Sequence, residues 1–119
     1  PYFTGFTHQE GSGEGAGLTR NYPLLPGSSR KAWFSALDDA LDRIRGYTPE
    51  VLIVSLGVDT YRHDPLSTFL LESEDFKEAG GRIRSARVPV LFVMEGGYAV
   101  EDIGVNVCNC LEGYSCAKV

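Results

Sequence analysis

The chain has 119 residues, of which 43% are hydrophobic and 23% charged, a composition typical of one globular domain with a moderate core. Its 11 basic and 16 acidic residues give a formal net charge of -5, which argues against a protein that binds the phosphate backbone of nucleic acids. No stretch reaches the roughly 18 consecutive apolar residues of a membrane-spanning helix. We therefore expect neither nucleic acid nor a membrane as a partner.

The start of the chain and its cysteines bear on processing and location. The sequence begins at Pro1 without a methionine, and no signal-peptide pattern follows, so we expect a trimmed or incomplete chain. The cysteines Cys108, Cys110 and Cys116 are odd in number and lack the paired CxxC spacing of a zinc site. We predict reduced, structural thiols and a cytoplasmic protein.

Residues 1–30 are predicted to be a glycine-rich, irregular N-terminal segment. Its motif GSGEGAG lacks the preceding strand, the following helix and the lysine of a phosphate-binding loop, which favours a mobile or tightly turning loop over nucleotide binding. Residues 19–24 are predicted as a short strand, restricted to an edge or an end by Pro23. His8 stands alone in a polar context and is expected on the surface.

Residues 31–46 carry apolar side chains at helical spacing and are predicted to form the first helix. Ser28 or Ser29 can cap its start, and Gly46 is expected to end it. The apolar stripe consists of Phe34, Leu37, Leu41 and Ile44.

Two further helices are predicted after the first. Ser73 can cap one that extends to about Ala86, with acidic residues in its first turn and two glycines that weaken it. The other begins near Asp102 and ends at Gly113, because its apolar residues again recur at helical spacing.

Residues 51–56, VLIVSL, form a short apolar run of the kind that is buried on both faces of a parallel sheet, and Val90–Met94 repeats the pattern. With residues 19–24 as a third strand, the order (β)–α–β–α–β–α predicts an α/β fold with a small, mostly parallel sheet and flanking helices. We predict a single domain over residues 1–119, with residues 31–119 as its βαβα core. A sheet of so few strands leaves two open edges, which favour association.

Two polar side chains follow the predicted strands where parallel strands end. Asp59 comes shortly after the first run, and Tyr98 follows the second after a glycine pair. Ligands bind beyond the carboxyl ends of strands in open α/β sheets, so both side chains are candidates for one site. A carboxylate there can bind a divalent metal or act as a base, and a phenol can donate to an oxyanion. The alternative for Asp59 is a helix cap or a carboxylate that stabilises a turn.

The motifs VSLGVDTYRHDPLSTFLLE and VLFVMEGGYAVEDIGVNVCNCLEG resemble the C-terminal portion of the histone deacetylase and acetylpolyamine amidohydrolase family. The upstream sequence THQEGSGEGAGLTRNYPLLPG resembles that family's glycine-rich segment and the strand after it. The forms MEGGY and VDTYRHDP resemble the acetylpolyamine amidohydrolase branch more than the histone enzymes. The resemblance implies part of an arginase- and deacetylase-like three-layer sandwich, in an enzyme that hydrolyses acetyl-lysine-type amides with one zinc ion.

The resemblance also implies roles for individual residues. The aspartate of the family's G-x-D segment ligates zinc and corresponds to Asp59. The tyrosine of its G-G-Y segment polarises the scissile carbonyl and corresponds to Tyr98, with Gly96 and Gly97 beside it at the substrate. Asp64 and the proline after it match a turn whose expected role is structural.

The chain departs from the family pattern in one large respect. It contains neither the D-x-H segment that supplies the other zinc ligands nor the adjacent histidines that include the general base. A catalytic zinc needs about three protein ligands, so zinc is expected to bind weakly or not at all to this chain. We therefore expect a truncated relative that is catalytically inactive alone and that forms a homo-oligomer, most simply a dimer.

Two alternatives remain open from the sequence. The chain is an active zinc amidohydrolase if a longer chain or a partner supplies the remaining ligands. It is instead a binding module if the pocket loops now hold a small ligand, such as an acetylated amine, or a protein.

Overall fold

A computed structural model describes residues 3–117 and shows an α/β arrangement. The elements in chain order are a 3-10 helix at Gly13–Gly15, α1 at Arg30–Tyr47, β1 at Leu52–Leu56, α2 at Ser73–Arg84, β2 at Val90–Met94 and α3 at Ile103–Cys116. The predicted α/β class, with a small parallel sheet and flanking helices, is confirmed. Within residues 3–117, no helix combines the length and apolar character that crossing a membrane requires.

Helix α1 forms where the apolar spacing predicted it. The hydroxyl of Ser29 accepts a hydrogen bond from the backbone N–H of Ala32 at 3.2 Å, which caps one of the free N–H groups at the helix start. The predicted end at Gly46 is wrong, because the helix continues to Tyr47. Thr48 then adopts the left-handed conformation with φ 52°, and its N–H donates to the carbonyl of Ile44.

Strands β1 and β2 pair in parallel, in a register that runs from Leu52 opposite Val90 to Leu56 opposite Met94. Helix α2 connects them, as parallel pairing requires of a crossover. The prediction of a third strand is wrong, because residues 19–24 are irregular. There the Asn21 side chain donates to the carbonyls of Phe6 and Gln9, so local side-chain bonds replace a strand ladder.

The sheet has one covered and one open face. Val54, Leu56 and Phe92 point toward the core that includes residues of α2 and α3. Ile53 and Leu91 point the other way and remain 64% and 55% exposed. The prediction that residues 51–56 are buried on both faces is therefore wrong, because none of the described elements covers the outer face.

Helices α2 and α3 approach closely because glycines lie at their crossing. A Cβ on Gly80 would lie 1.9 Å from the carbonyl oxygen of Cys110, and one on Gly113 would lie 1.9 Å from that of Lys77. The helix backbones therefore touch without intervening side chains. Gly113 was predicted to end α3, but it lies inside the helix, which continues to Cys116.

Cation–π interactions at Phe34 join α1 to α2. The guanidinium groups of Arg30 and Arg82 lie 4.7 and 4.2 Å from the centre of the buried Phe34 ring. Asp75 and Glu78 form ion pairs with these arginines. The position of α1 against α2 is thus fixed by one aromatic side chain between two cations.

Candidate functional site

The chain segments that leave β1 and β2 remain paired beyond the strand ends. The N–H of Glu95 donates to the carbonyl of Leu56 at 3.0 Å, and the N–H of Val58 donates to the carbonyl of Gly96 at 2.8 Å. These bonds hold the two segments together where Asp59 and Tyr98 follow. The sequence prediction that both residues lie beyond the carboxyl ends of neighbouring strands agrees with this placement.

The carboxylate of Asp59 lies against backbone rather than against other side chains. A Cβ on Gly96 would lie 2.1 Å from Oδ2, and one on Gly57 would lie 3.1 Å from Oδ1. Glycine at position 96 therefore leaves the space that this carboxylate occupies. The structure thus gives Gly96 a role that the motif alone did not reveal, as a neighbour of Asp59.

Asp59 is half-buried, yet its carboxylate forms no hydrogen bond or ion pair with any residue between 3 and 117. The alternative interpretation from sequence, a helix cap or a turn-stabilising carboxylate, requires such a bond. A carboxylate with free acceptor oxygens at a strand end instead suits an external ligand such as a cation or a hydrogen-bond donor.

Tyr98 presents its side chain at the same end of the sheet, with 49% of its surface exposed. It follows Gly97, whose φ of 150° is rarely adopted by residues with a side chain. A Cβ on Gly97 would also lie 2.6 Å from Cγ2 of Val58. The glycine before Tyr98 is therefore required by backbone shape and by packing against the β1 segment.

Asp64 connects the two loops of the site. Its side chain is buried, with 5% of the residue exposed. Oδ1 accepts the N–H of Leu66 at 2.9 Å, and Oδ2 accepts the N–H of Tyr98 at 2.7 Å. The family resemblance implies a structural role for Asp64 in its turn and does not predict its contact with Tyr98. The sequence offers only one signal for that contact, a carboxylate in the loop after β1.

The loop between β1 and α2 is packed rather than loose. Tyr61 and Leu71 are buried and form an isolated parallel bridge, in which Leu71 accepts the N–H of Arg62 and donates its own N–H to Thr60. This bridge closes the loop that contains Asp64. Asp64 therefore lies on a segment whose backbone is anchored at both ends.

The donor set in the described part of the chain does not complete a metal centre. No group of three or more histidine, cysteine or acidic side chains is placed to hold an ion within residues 3–117. His8 stacks on Phe6, and His63 packs edge-on against Tyr61. A zinc site requires about three protein ligands, and the Asp59 carboxylate could offer at most one of them.

A groove at the opposite end of β1 contains none of these residues. It lies between the N-terminal segment and the second half of α1, with Leu18, Tyr47 and Val51 in its lining. Since β1 separates this groove from Asp59, it belongs to a different surface from the candidate site.

Comparison with known proteins identifies the family. The sequence model of the histone deacetylase domain matches residues 1–114. The chain belongs to the histone deacetylase domain family. Membership confirms the resemblance that the strand-end motifs indicated.

Several bacterial acetylpolyamine amidohydrolases are similar to this chain in sequence. The chain is 54% identical over 114 residues to acetylpolyamine amidohydrolase 1 of Pseudomonas aeruginosa, and the match covers 96% of this chain and 33% of that protein. It is 48% identical over 113 residues to the acetylpolyamine amidohydrolase of Mycoplana ramosa, covering 95% of this chain and 33% of the relative. The chain therefore spans about a third of the length of these relatives.

A solved structure from the same family has the same fold over this third. The crystal structure of acetylpolyamine aminohydrolase from Burkholderia pseudomallei, from an iodide soak, superposes with a TM-score of 0.92 at 38% sequence identity. The match covers 96% of this chain and 33% of that chain. This similarity confirms the partial deacetylase-like fold that the resemblance implied.

Proposed function

We propose that this chain provides one part of the active site of an acetylpolyamine amidohydrolase-type deacetylase and that it is inactive without the remainder. In this proposal Asp59 is one zinc ligand and Tyr98 donates a hydrogen bond to the oxygen of the scissile amide. The observation that carries the proposal is the carboxylate of Asp59, which lies at the end of β1 without a hydrogen-bond partner among residues 3–117. Family membership and the names of the relatives support the reaction class.

The described residues supply some of the groups that this reaction needs, and the others must come from outside this chain. A zinc ion in such an enzyme polarises the amide carbonyl and lowers the pKa of a bound water. Asp59 fits only one ligand position, so this chain needs donors from elsewhere to hold the ion. The Tyr98 side chain is half exposed, which leaves its phenol hydroxyl accessible, and such a hydroxyl can donate to a developing oxyanion.

The backbone around these two side chains supports a fixed geometry. The segments that carry Asp59 and Tyr98 are joined by the bonds from Glu95 to Leu56 and from Val58 to Gly96. A preorganised arrangement of this kind favours catalysis, because the groups need not reorganise when charge develops on the substrate.

A chimera tests the proposal. The segment of the Pseudomonas aeruginosa relative that this chain matches is replaced by this chain within one polypeptide. We expect the chimera to retain zinc through dialysis and to release acetate from an acetylated polyamine, whereas this chain alone does neither. Zinc is measured by mass spectrometry and acetate by a coupled assay.

Two substitutions in the chimera assign the roles. Asp59→Ala is expected to lose zinc and turnover together. Tyr98→Phe is expected to retain zinc but lower kcat by about 10²- to 10³-fold, the usual effect of removing one oxyanion donor. Glu101→Ala removes an exposed acidic side chain nearby and should change neither quantity. A folded chimera that keeps its zinc in the Asp59→Ala variant would refute the proposed ligand.

A further inference from the structure

We propose that Asp64 is the positioning residue of Tyr98: its buried carboxylate holds the backbone of Tyr98 and so fixes where the phenol lies. This inference rests on the proposed function for the role of the phenol, but its structural half concerns this chain alone. The contact that carries it joins residues 34 positions apart, Oδ2 of Asp64 and the N–H of Tyr98, at 2.7 Å.

The two oxygens of Asp64 serve two different loops. Oδ1 accepts from Leu66, two residues later in the same loop, while Oδ2 accepts from Tyr98 beyond β2. A turn-stabilising aspartate needs only the first bond. The second bond spans the site, so the residue does more than shape its own turn.

The burial of Asp64 makes the bond to Tyr98 strong. With 5% of the residue exposed, water does not compete effectively for the carboxylate oxygens. Hydrogen bonds from backbone N–H groups to a charged acceptor are stronger than those between neutral groups. The N–H of Asp64 itself donates to the carbonyl of Tyr61 at 2.9 Å, so the carboxylate is held from its own backbone as well.

Tyr98 has few other restraints. Gly97 before it has φ 150° and offers no side chain that would limit rotation of the backbone. The Tyr98 side chain is half exposed, and none of its hydrogen bonds to the described residues involves the phenol. The bond to Asp64 is therefore the polar restraint on Tyr98 within residues 3–117.

The substitution Asp64→Asn separates the two bonds with little change in shape. In Asp64 each of the two N–H groups, of Leu66 and of Tyr98, faces a different oxygen. An amide has one acceptor oxygen and one NH2 donor, so one of the two N–H groups would then face an NH2 group. Asp75→Asn is the matched control. Asp75 is also 5% exposed, accepts a backbone N–H from Glu72 at 2.9 Å and lies in α2, away from Tyr98.

Amide hydrogen exchange on this chain tests the structural half. In Asp64→Asn we expect the Tyr98 amide to exchange about tenfold faster or more, relative to amides in α1 and α3, because either orientation of the new amide leaves Tyr98 without a charged acceptor. In Asp75→Asn the ratio of Tyr98 exchange to that of α1 and α3 should not change. Equal acceleration of all amides in Asp64→Asn, or none at Tyr98, would overturn the proposal.

The chimera tests the functional half by a double-mutant cycle. We expect Asp64→Asn to lower kcat about tenfold with little change in KM, since a displaced phenol affects the transition state more than binding. In the Tyr98→Phe background the same substitution should have almost no effect on kcat, because it acts through a hydroxyl that is already absent. Additive effects would show a general structural role and overturn the positioning role.

Amide exchange at Tyr98 and turnover by the chimera test different parts of the proposal, so one can contradict it while the other supports it. An inactive chimera with faster Tyr98 exchange refutes the proposed function and keeps Asp64 as the residue that holds Tyr98. If Asp64→Asn does not fold, as judged by loss of cooperative unfolding, Asp64→Glu replaces it. That variant keeps both oxygens but moves them by one methylene, and it should again accelerate Tyr98 exchange selectively.

Discussion

The carboxylate of Asp59 occupies the space that a side chain on Gly96 would need. A Cβ at position 96 would lie 2.1 Å from Oδ2 and 3.0 Å from Cγ of Asp59. The two residues belong to different strand ends, so the glycine beside β2 and the aspartate beyond β1 depend on each other. This dependence explains why glycine suits position 96 without any reference to a bound ligand.

The first prediction concerns that pair. Gly96→Ala should lower the free energy of unfolding by about 1–3 kcal/mol, because the new methyl group displaces the carboxylate or the backbone. In an Asp59→Ala background the same substitution should cost much less, since the clashing oxygen and Cγ are gone. Urea unfolding of the parent chain, the two single variants and the double variant measures these costs. Equal costs in both backgrounds would show that the clash lies elsewhere.

The second prediction concerns the contact between α2 and α3. Gly80→Ala places a methyl group 1.9 Å from the Cys110 carbonyl oxygen and should lower stability by about 3 kcal/mol or prevent folding. Gly81→Ala, one residue later, meets only atoms at 3.8 Å or more and should stabilise the helix by up to about 1 kcal/mol. Thermal unfolding of both variants tests this difference in sign. A similar gain in both would mean that helix propensity, and not the backbone contact, determines the effect.

Local patterns predicted the elements better than their surroundings. Helix α1 followed from the spacing of residues such as Phe34 and Leu41, because one amphipathic helix encodes its own period. The apolar run that forms β1 predicted burial on both faces, yet Ile53 is exposed, because a strand sequence does not state which element covers it. Residues 19–24 had strand character but found no ladder in the described chain.

The site was predictable in its members but not in its contacts. Asp59 and Tyr98 were identified from their positions after two apolar runs and from family motifs. The bond from Tyr98 to Asp64 and the contact of Asp59 with Gly96 join residues that are far apart in the sequence. The spacing of residues along the chain does not predict how close such pairs lie in the folded structure. The paired register of β1 and β2 brings the two strand ends together, and the bridge between Tyr61 and Leu71 closes the loop that contains Asp64.

The third prediction concerns the open face of the sheet. We expect this chain to self-associate at micromolar concentration as a dimer or larger oligomer, because Ile53 and Leu91 expose apolar surface beside unpaired strand edges. Ile53→Lys should weaken association about tenfold or more, since burying an unpaired ammonium is costly. Leu25→Lys, at an exposed loop position, should have no effect. Light scattering after size-exclusion chromatography measures the mass; a monomeric parent chain would refute this prediction.

The last prediction concerns the pH dependence of stability and Cys110. This thiol is fully buried in α3, and burial raises its pKa from 9.0 to about 11. The folded state therefore keeps the proton over a range in which the unfolded state loses it, so stability falls as pH rises from about 9 to about 11. By pH 10.5 the loss due to this group should be about 2 kcal/mol.

Substitution isolates the contribution of Cys110 from other groups that titrate at high pH. Cys110→Ala should lower stability at pH 8, because it removes buried volume, but its stability should fall less between pH 8 and pH 10.5 than that of the parent chain. Cys116→Ala removes an exposed thiol and should keep the parent's pH dependence. Urea unfolding at the two pH values gives the four free energies needed for each comparison. If Cys110→Ala and the parent lose equal stability over this range, the buried thiol does not remain protonated in the folded chain, and another group accounts for the alkaline loss.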